Sequence, residues 1–209
     1  MTGHPARSLV VVSAGISEPS ASRLLADRVT AAVERHLHDA GTDPMVQHIE
    51  LRAHARDLAS HLLTGFPSPV LQEALDAVLT ADGLVAVTPV YSASYSGLFK
   101  LFFDVVDRDA FAGMPVLLAA TGGTPRHSLV IEHAMRPLFA YLRAAPVATG
   151  VYAATEDWGQ GAVSVDGSLL DRIDRAAGEL ALAMVSRESS PARSVAADPA
   201  AFEDVFRPG

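Results

Sequence analysis

The chain has 209 residues and a formal net charge of −8, with 49% apolar residues and no cysteine. These values predict one globular domain with a sizeable core, and they exclude disulfide and thiolate chemistry. An acidic chain is poorly suited to a large nucleic-acid footprint, which needs clustered Lys and Arg. No stretch reaches the roughly 20 apolar residues of a membrane span, and the apolar run 9–12 is too short for a signal peptide. We therefore expect a cytoplasmic protein.

Short apolar runs alternate with segments of helical periodicity along the chain. The predicted strands are residues 9–13, 45–49, 83–87, 114–120 and 146–153. The predicted helices are residues 23–37, 68–80, 96–106, 128–142 and 169–185, and residues 51–65 are interpreted as a loop with some helix. Pro137 is expected to kink or split the fourth of these helices, because proline removes a helical hydrogen bond.

The alternation of strands and helices predicts an α/β fold. Several predicted strands are continuously apolar, which is typical of a parallel sheet that is covered on both faces. We expect a doubly wound, five-stranded parallel sheet with helices on both faces. This domain is predicted to span residues 1–186, followed by a flexible tail over 187–209 that is rich in Ser, Pro and Ala.

Ligands of such sheets bind outside the carboxyl ends of the strands, so the loops after strands one, three and four are the candidate site. The first loop, SAGISEPSASR, carries four serines before a helix. Hydroxyls together with the free N–H groups of a first helical turn bind phosphate, although serine at a helix start is also an ordinary capping residue. The loop matches neither the dinucleotide fingerprint nor the Walker pattern.

The second and third loops are TPVYSASYSG and TGGTPRH. Tyr91 and Tyr95 offer flat faces to an aromatic ligand, and the alternative is that both tyrosines pack beneath the loop. Gly122 and Gly123 let the backbone approach a ligand closely, and successive N–H groups there can hold an anion. The alternative for the glycines is a plain strand-to-helix turn.

Three segments resemble the NAD(P)H-dependent FMN reductases of flavodoxin-like fold: SAGISEPSASRLLAD, TPVYSASYSGLFKLFFD and ATGGTPRHSLVIEHAMRPLFAYL. The similarity covers roughly residues 9–182 and points in particular to the actinobacterial branch associated with two-component flavin monooxygenases. The first segment departs from the Gly-Ser-x-Arg start that is common in the wider family.

The resemblance implies an FMN site built from all three loops. It implies phosphate contacts at Ser13, Ser17, Ser20, Ser22 and Arg23. It implies isoalloxazine contacts at Pro89, Val90, Tyr91 and Ser92, and contacts with the flavin edge at Thr121, Gly122 and Gly123. It also implies NADPH or NADH as the hydride donor and a partner monooxygenase that takes the reduced flavin.

A flavin supplies its own redox chemistry, so no catalytic acid or base is nominated, and the spacing of the histidines does not indicate a metal site. Arg126 and His127 are candidates for contact with the 2′-phosphate of NADPH, the alternative being that Arg126 is simply exposed. Two other activities fit the same fold: an FMN-containing quinone or azo reductase, and a flavodoxin-type electron carrier.

The helix after Gly97 is apolar around most of its circumference. Such a helix needs cover on more than one side, and a second subunit is one possible cover. The sequence therefore predicts a homodimer, while the alternative is a phenylalanine-rich core helix that lies under the segment around Pro137.

Overall fold

The computed structural model describes residues 6–158 and 168–187. Its strands are β1 (Ala6–Ser13), β2 (Asp43–Glu50), β3 (Gly83–Tyr91), β4 (Ser94–Tyr95), β5 (Pro115–Gly122), β6 (Ala145–Pro146) and β7 (Val151–Ala154). Its α-helices are α1 (Ala21–Asp39), α2 (Ala55–Thr64), α3 (Pro69–Thr80), α4 (Gly97–Val105), α5 (Arg136–Tyr141) and α6 (Leu169–Ser186). The predicted tail lies outside the described residues from 188 onward. None of the described helices is both long and apolar enough to cross a membrane.

The strands form one sheet in the order β2-β1-β3-β5-β6, and the four ladders along this path are parallel. Strand β7 also pairs with β5, so β6 and β7 together occupy the fifth position, while the short β4 pairs with β3 as an antiparallel hairpin. Without the short β4, this is the strand order of flavodoxin-like sheets, in which the direction of strand addition reverses between β1 and β3. The predicted fold is confirmed.

Both faces of the sheet are buried under helices. Val85 and Val87 lie in an apolar layer with α1 and α6, whereas Leu84 and Ala86 lie in a second layer with α3, α4 and α5. Successive side chains of a strand point to opposite faces, so burial of both faces requires an unbroken apolar run. This explains why β3 and β5 were recognisable in the sequence.

Helix α4 contributes its phenylalanines to the core of its own chain. Phe99, Phe102 and Phe103 are buried. The ring centroid of Phe103 lies 4.7 Å from that of Phe99 and 4.9 Å from that of Phe139 on α5. The alternative interpretation of this helix, as a core element beneath the segment around Pro137, therefore accounts for the phenylalanines. The homodimer stays a prediction.

Two segments differ from, or add to, the predicted elements. Residues 51–65 are mainly helical, with a 3₁₀ turn over Leu51–His54 followed by α2, where a loop with some helix was expected. Residues 128–142 contain a π-helical turn, Ile131–Met135, followed by α5. Pro137 lies in the first turn of α5, just after the change from π-helical to α-helical bonding, and its effect on the helix axis stays a prediction.

The fifth strand position is interrupted between β6 and β7, where one continuous strand was predicted. The backbone N–H and the hydroxyl of Thr149 donate to the Glu179 carboxylate on α6, at 2.8 and 2.6 Å. The Arg136 guanidinium donates to the carbonyl oxygens of Val147, at 2.9 Å, and Ala148. These side chains satisfy backbone groups that would otherwise need a strand neighbour.

Candidate functional site

A cleft of about 250 Å³ lies at the carboxyl ends of β1, β3 and β5. All three loops singled out in the sequence line it, and a fourth segment after β7 adds to its wall. The lining residues are Gly15, Ser17, Ser20, Ala21, Ser22, Pro89, Val90, Tyr91, Thr121, Gly122, Gly123, Ala153, Thr155 and Trp158. None of these described residues carries a charged or imidazole side chain, so the cleft offers hydroxyls, backbone groups and aromatic rings.

The predicted site residues line this cleft except for Ser13, Arg23 and Ser92. Ser13 is the last residue of β1 and is buried. Arg23 pairs with Asp27, with 2.7 Å between Nε and Oδ1, and also with Glu50. Ser92 lies in the turn between β3 and β4. Whether each residue contacts a flavin stays a prediction.

The first loop ends at the N-cap of α1, which also forms part of the cleft wall. Ser20 is the N-cap of α1, and its hydroxyl accepts a hydrogen bond from the Arg23 N–H at 3.2 Å. The capping interpretation is therefore correct for Ser20, which also lines the cleft. Ala21 and Ser22 form the first turn of α1, where N–H groups have no carbonyl partner within the helix. These groups make this wall suitable for an anion.

A hydrogen bond joins the first and third loops inside the cleft. The hydroxyls of Ser22 and Thr121 lie 2.8 Å apart, and both residues are buried. The contact links the start of α1 to the end of β5, two elements that are 99 residues apart in the chain. It fixes the distance between the loop expected to hold a phosphate and the loop expected to contact a ring edge.

Two glycines of the cleft lie against neighbouring side chains, so that an added Cβ atom would force a shift. A Cβ atom on Gly122 would lie 2.1 Å from the Tyr152 hydroxyl, and a Cβ atom on Gly15 would lie 2.0 Å from the Ser20 hydroxyl. Both separations are far below van der Waals contact, so a side chain at either position would displace the wall. At Gly123, by contrast, an added Cβ would meet no atom within 4 Å. The Cβ side of Gly122 is therefore occupied by Tyr152, whereas the backbone at Gly123 is open to close approach by a ligand.

The second loop is held by buried hydroxyls and ends in a tight turn. Thr88 accepts a hydrogen bond from the Ser96 N–H at 3.0 Å, and Ser96 in turn caps α4. Ser92 and Ala93 both have positive φ, at 49° and 66°, as in the type I′ turns of β-hairpins. Residues with side chains rarely adopt this conformation, and such strain is often found at functional sites.

The two tyrosines of this loop have different environments. Tyr95 packs on Phe99, with 5.7 Å between ring centroids, so the alternative of packing beneath the loop holds for Tyr95. Tyr91 is 44% exposed and lines the cleft. Tyr91 is therefore the ring of this pair that a planar ligand can contact.

Tyr152 supports the third loop from below. Its hydroxyl donates to the carbonyl oxygen of Thr124 at 2.7 Å. Burial, with a smaller contribution from Asp157, raises the pKa of this phenol above its ordinary value. Tyr152 therefore remains a neutral hydrogen-bond donor at physiological pH, which holds the glycine loop in one position.

Sequence reasoning missed the segment after β7, which adds Thr155 and Trp158 to the cleft. Trp158 is the only tryptophan of the chain, and the Arg28 guanidinium lies 4.9 Å from the centroid of its ring. Because β7 pairs with β5, the rule that placed the other three loops at this edge also applies to the loop after the fifth strand. Among the described residues, no group of three His, Asp or Glu side chains is arranged to hold a metal ion.

An uncharged cleft at the switch point of a flavodoxin-like sheet, with hydroxyl and N–H donors on one wall and aromatic rings on others, is typical of a protein that binds a flavin nucleotide. Residues 8–159 match the family model of the NADPH-dependent FMN reductases, and the chain belongs to this family.

Relatives of known name agree with the family assignment. The chain is 42% identical over 146 residues to the NADH-dependent FMN reductase SfnE of Pseudomonas putida, covering 70% of this chain and 76% of that protein. It is 41% identical over 150 residues to an FMN reductase (NADPH) of Pseudomonas aeruginosa, covering 72% and 78%. A solved oxidoreductase from Corynebacterium diphtheriae superposes with a TM-score of 0.83 at 46% identity, covering 88% of this chain and 100% of that one.

Proposed function

We propose that this chain, an FMN reductase by family, reduces FMN with a nicotinamide nucleotide in the cleft at the ends of β1, β3 and β5. The observation that carries the proposal is the convergence of three separate loops on one uncharged cleft, two of them joined by the bond between Ser22 and Thr121. The chemistry of the lining suits FMN. Hydroxyls and helical N–H groups suit a phosphate, Tyr91 and Trp158 offer ring faces, and Gly123 leaves room for close backbone approach.

The protein's proposed contribution is to bind and to orient. When bound, a flavin supplies the hydride-accepting chemistry. Ser17, Ser20 and Ser22 hold the phosphate end, with Arg23 beside them and Ser13 beneath. Pro89, Val90, Tyr91 and Ser92 position the ring. Thr121, Gly122 and Gly123 present backbone N–H groups to the ring edge, where they stabilise negative charge as an oxyanion hole does.

No side chain of the cleft is proposed as a general acid or base. The described residues that line the cleft include no Asp, Glu, His, Lys or Arg, and the phenol of Tyr152 has a raised pKa. Alignment of the two reacting rings, rather than proton transfer by a side chain, is therefore the source of the rate enhancement. The rate of hydride transfer is expected to vary little between pH 6 and 8.

The choice between NADPH and NADH is proposed to depend on Arg126. One close relative is named for NADH and another for NADPH, so family membership leaves the preference open. Arg126 is exposed in a 3₁₀ turn directly after the glycine loop, where it is free to approach a 2′-phosphate. We expect Arg126→Ala to raise the KM for NADPH and to leave the KM for NADH unchanged. Equal effects on both nucleotides would contradict this role.

One assay separates the proposed activity from its alternatives. Purified protein is mixed with NADPH or NADH and with free FMN, and the loss of nicotinamide absorbance is followed. Turnover with free FMN supports the FMN reductase. Turnover only with a quinone or an azo dye indicates a reductase with tightly held FMN, and no nucleotide oxidation indicates an electron carrier.

A partner monooxygenase and a homodimer complete the proposal, together with membership of the actinobacterial branch. The relative from Corynebacterium diphtheriae supports the branch. Leu98, Leu101 and Val105 of α4 are partly exposed beside the buried phenylalanines, which supports a contact between two copies along this helix. Sedimentation that shows a monomer at micromolar concentration would reject the dimer. A coupled assay with a flavin-dependent monooxygenase tests the transfer of reduced flavin.

A further inference from the structure

A continuous row of alternating charges lies beside the uncharged cleft. Arg52 pairs with Glu18 of the first loop and with Glu50, the latter at 3.5 Å between Nε and Oε2. The other oxygen of Glu50 pairs with Arg23, and Arg23 also pairs with Asp27. The order along the row is therefore Glu18, Arg52, Glu50, Arg23 and Asp27.

Glu50 occupies the centre of this row because of its position in the sheet. It is the last residue of β2, and its backbone is in register with Ser13 at the end of β1. Its carboxylate thus lies next to the point where the first loop leaves the sheet. Each of its two oxygens contacts a different arginine, so this one side chain restrains both guanidinium groups.

The row leaves the first loop with no net positive charge. It contains three carboxylates, of Glu18, Asp27 and Glu50, and two guanidinium groups, of Arg23 and Arg52. A phosphate monoester carries a charge of about −1.5 to −2 at neutral pH, and arginine is its strongest side-chain partner. Here both arginines already have carboxylate partners, and a bound phosphate would face Glu50 as a like charge.

We propose that Glu50 sets the affinity for the flavin phosphate by holding Arg23 and Arg52 in ion pairs, so that FMN is taken up and released rather than retained. This inference rests on the proposed function, because it assumes that the cleft binds FMN. Hydroxyls and backbone N–H groups then provide most of the phosphate binding. The guanidinium groups contribute less, because their carboxylate partners offset their positive charge. The cleft volume of about 250 Å³ agrees with partial enclosure of the ligand, since pockets that enclose a ligand usually measure roughly 300–1,000 Å³.

The proposal predicts a specific difference between two ligands. FMN and riboflavin share the ring and the ribityl chain, and only FMN has the phosphate. A change that removes the carboxylate shared by both arginines should therefore strengthen FMN binding and leave riboflavin binding unchanged. The gain must shrink as salt is added, because partly exposed charges are screened.

The test is a pair of fluorescence titrations, with FMN and with riboflavin, on the full chain and on the variant Glu50→Gln. We expect the Kd for FMN to fall about fivefold at low salt, on the scale of one exposed ion-pair network, with the Kd for riboflavin unchanged. Asp39→Asn is the matched control, because it removes one negative charge at the other end of α1, about 25 Å from the first turn by helix geometry. It should alter neither Kd.

Two further variants show whether the arginines cause the gain. Glu18→Gln removes one of the two carboxylate partners of Arg52 and none of those of Arg23, so it should tighten FMN binding by a smaller factor. This variant also provides a test if Glu50→Gln folds poorly. Adding Arg23→Gln to Glu50→Gln should remove most of the gain. An unchanged Kd for FMN in Glu50→Gln, or an equal change for both flavins, would overturn the proposal and leave the flavin site standing. Absence of binding of either flavin to the unmodified chain would overturn the flavin site, and the proposal with it.

Discussion

Polar residues have opposite roles at the two ends of the parallel strands. We call the amino ends the closed edge of the sheet, and the cleft lies at the carboxyl ends. At the amino ends of the strands, the Arg7 guanidinium donates to the Asp82 carboxylate at 3.3 Å and to the Arg187 carbonyl oxygen at 2.7 Å. The second oxygen of Asp82 accepts the Ser8 N–H at 2.9 Å. At the carboxyl ends, the hydroxyls of Ser17 and Ser20 and the exposed ring of Tyr91 face an open cleft.

This contrast separates polar groups that serve the fold from polar groups that serve a ligand. At the closed edge the mostly buried Arg7 and Asp82 are partners within the chain, as stability requires. At the cleft, hydroxyls, N–H groups and two glycines leave space and binding capacity that the chain itself does not use. Substitutions at the closed edge should therefore change stability alone, and substitutions at the cleft should change ligand binding.

The largest effect is expected at the closed edge, from Arg7→Met. Both side chains of the Arg7–Asp82 pair are mostly buried, and removing one partner leaves a buried carboxylate without its cation. The free energy of unfolding should fall by about 3 kcal/mol, measured by urea denaturation. The exposed pair of Arg35 and Asp174 is the control, and Arg35→Met should cost less than about 1 kcal/mol. If Arg7→Met weakened FMN binding in the folded protein, the contrast between the edges would be wrong.

The next effect is expected at the cleft, from Gly122→Ala. The added Cβ would lie 2.1 Å from the Tyr152 hydroxyl, so the loop that approaches the flavin edge must move. We expect FMN affinity to fall about thirtyfold, or about 2 kcal/mol, in a fluorescence titration. Gly97→Ala is the control, since a Cβ atom there meets nothing within 4 Å. Adding Tyr152→Phe should recover part of the loss, and undiminished binding in Gly122→Ala alone would remove this loop from the site.

A smaller effect is expected from Ser168→Ala, at the start of α6. The Ser168 hydroxyl accepts a hydrogen bond from the Asp171 N–H, and the Asp171 carboxylate accepts one from the Ser168 N–H, so both groups have partners in the chain. Loss of this cap should cost about 1 kcal/mol of stability, measured by thermal unfolding. FMN binding should be unchanged, because Ser168 does not line the cleft. A loss of FMN affinity would show that the Ser168 cap also affects ligand binding, and it would contradict the contrast between polar groups of the fold and polar groups of the cleft.

The smallest effect is a pH dependence at the same cap. Hydrogen bonds from Ser168 lower the pKa of Asp171 below its ordinary value of 3.8. The stability that this carboxylate contributes is therefore complete above about pH 5 and is lost as the pH falls through the lowered pKa. The stability difference between the unmodified chain and Asp171→Asn should be present at pH 7 and should shrink towards pH 2. A difference that stays constant with pH would contradict this assignment.

Sequence patterns predicted the elements whose signals are local. Helix α3 follows a serine cap and a proline, and both signals lie within the helix start itself. Helix α2 was missed as a full helix because it has one buried residue, Leu58, while Leu62 and Leu63 are exposed. An apolar stripe that faces the core is therefore absent from this segment. The break in the fifth strand depends on Glu179 of α6 and Arg136 of α5, and neither residue belongs to the interrupted segment.

The same distinction explains what could be predicted of the candidate site. Three loops were found because strand order and loop composition place them at one edge. The bond between Ser22 and Thr121 and the contact between Gly122 and Tyr152 join residues that are far apart in the chain, so no local pattern indicates them. Likewise, nothing in the sequence indicates that Arg23 pairs with Glu50, an interaction that depends on the pairing of β1 with β2.

The central claim, that this cleft holds FMN, is tested most directly by one equilibrium titration with FMN, carried out on the unmodified chain and on two variants. FMN is added to the flavin-free protein, and flavin fluorescence is followed for the unmodified chain, Gly122→Ala and Arg7→Met. We expect saturable binding of one FMN per chain, weakened in Gly122→Ala and preserved in folded Arg7→Met. Unchanged flavin fluorescence with the unmodified chain, or equal binding by all three proteins, would contradict an FMN site in this cleft.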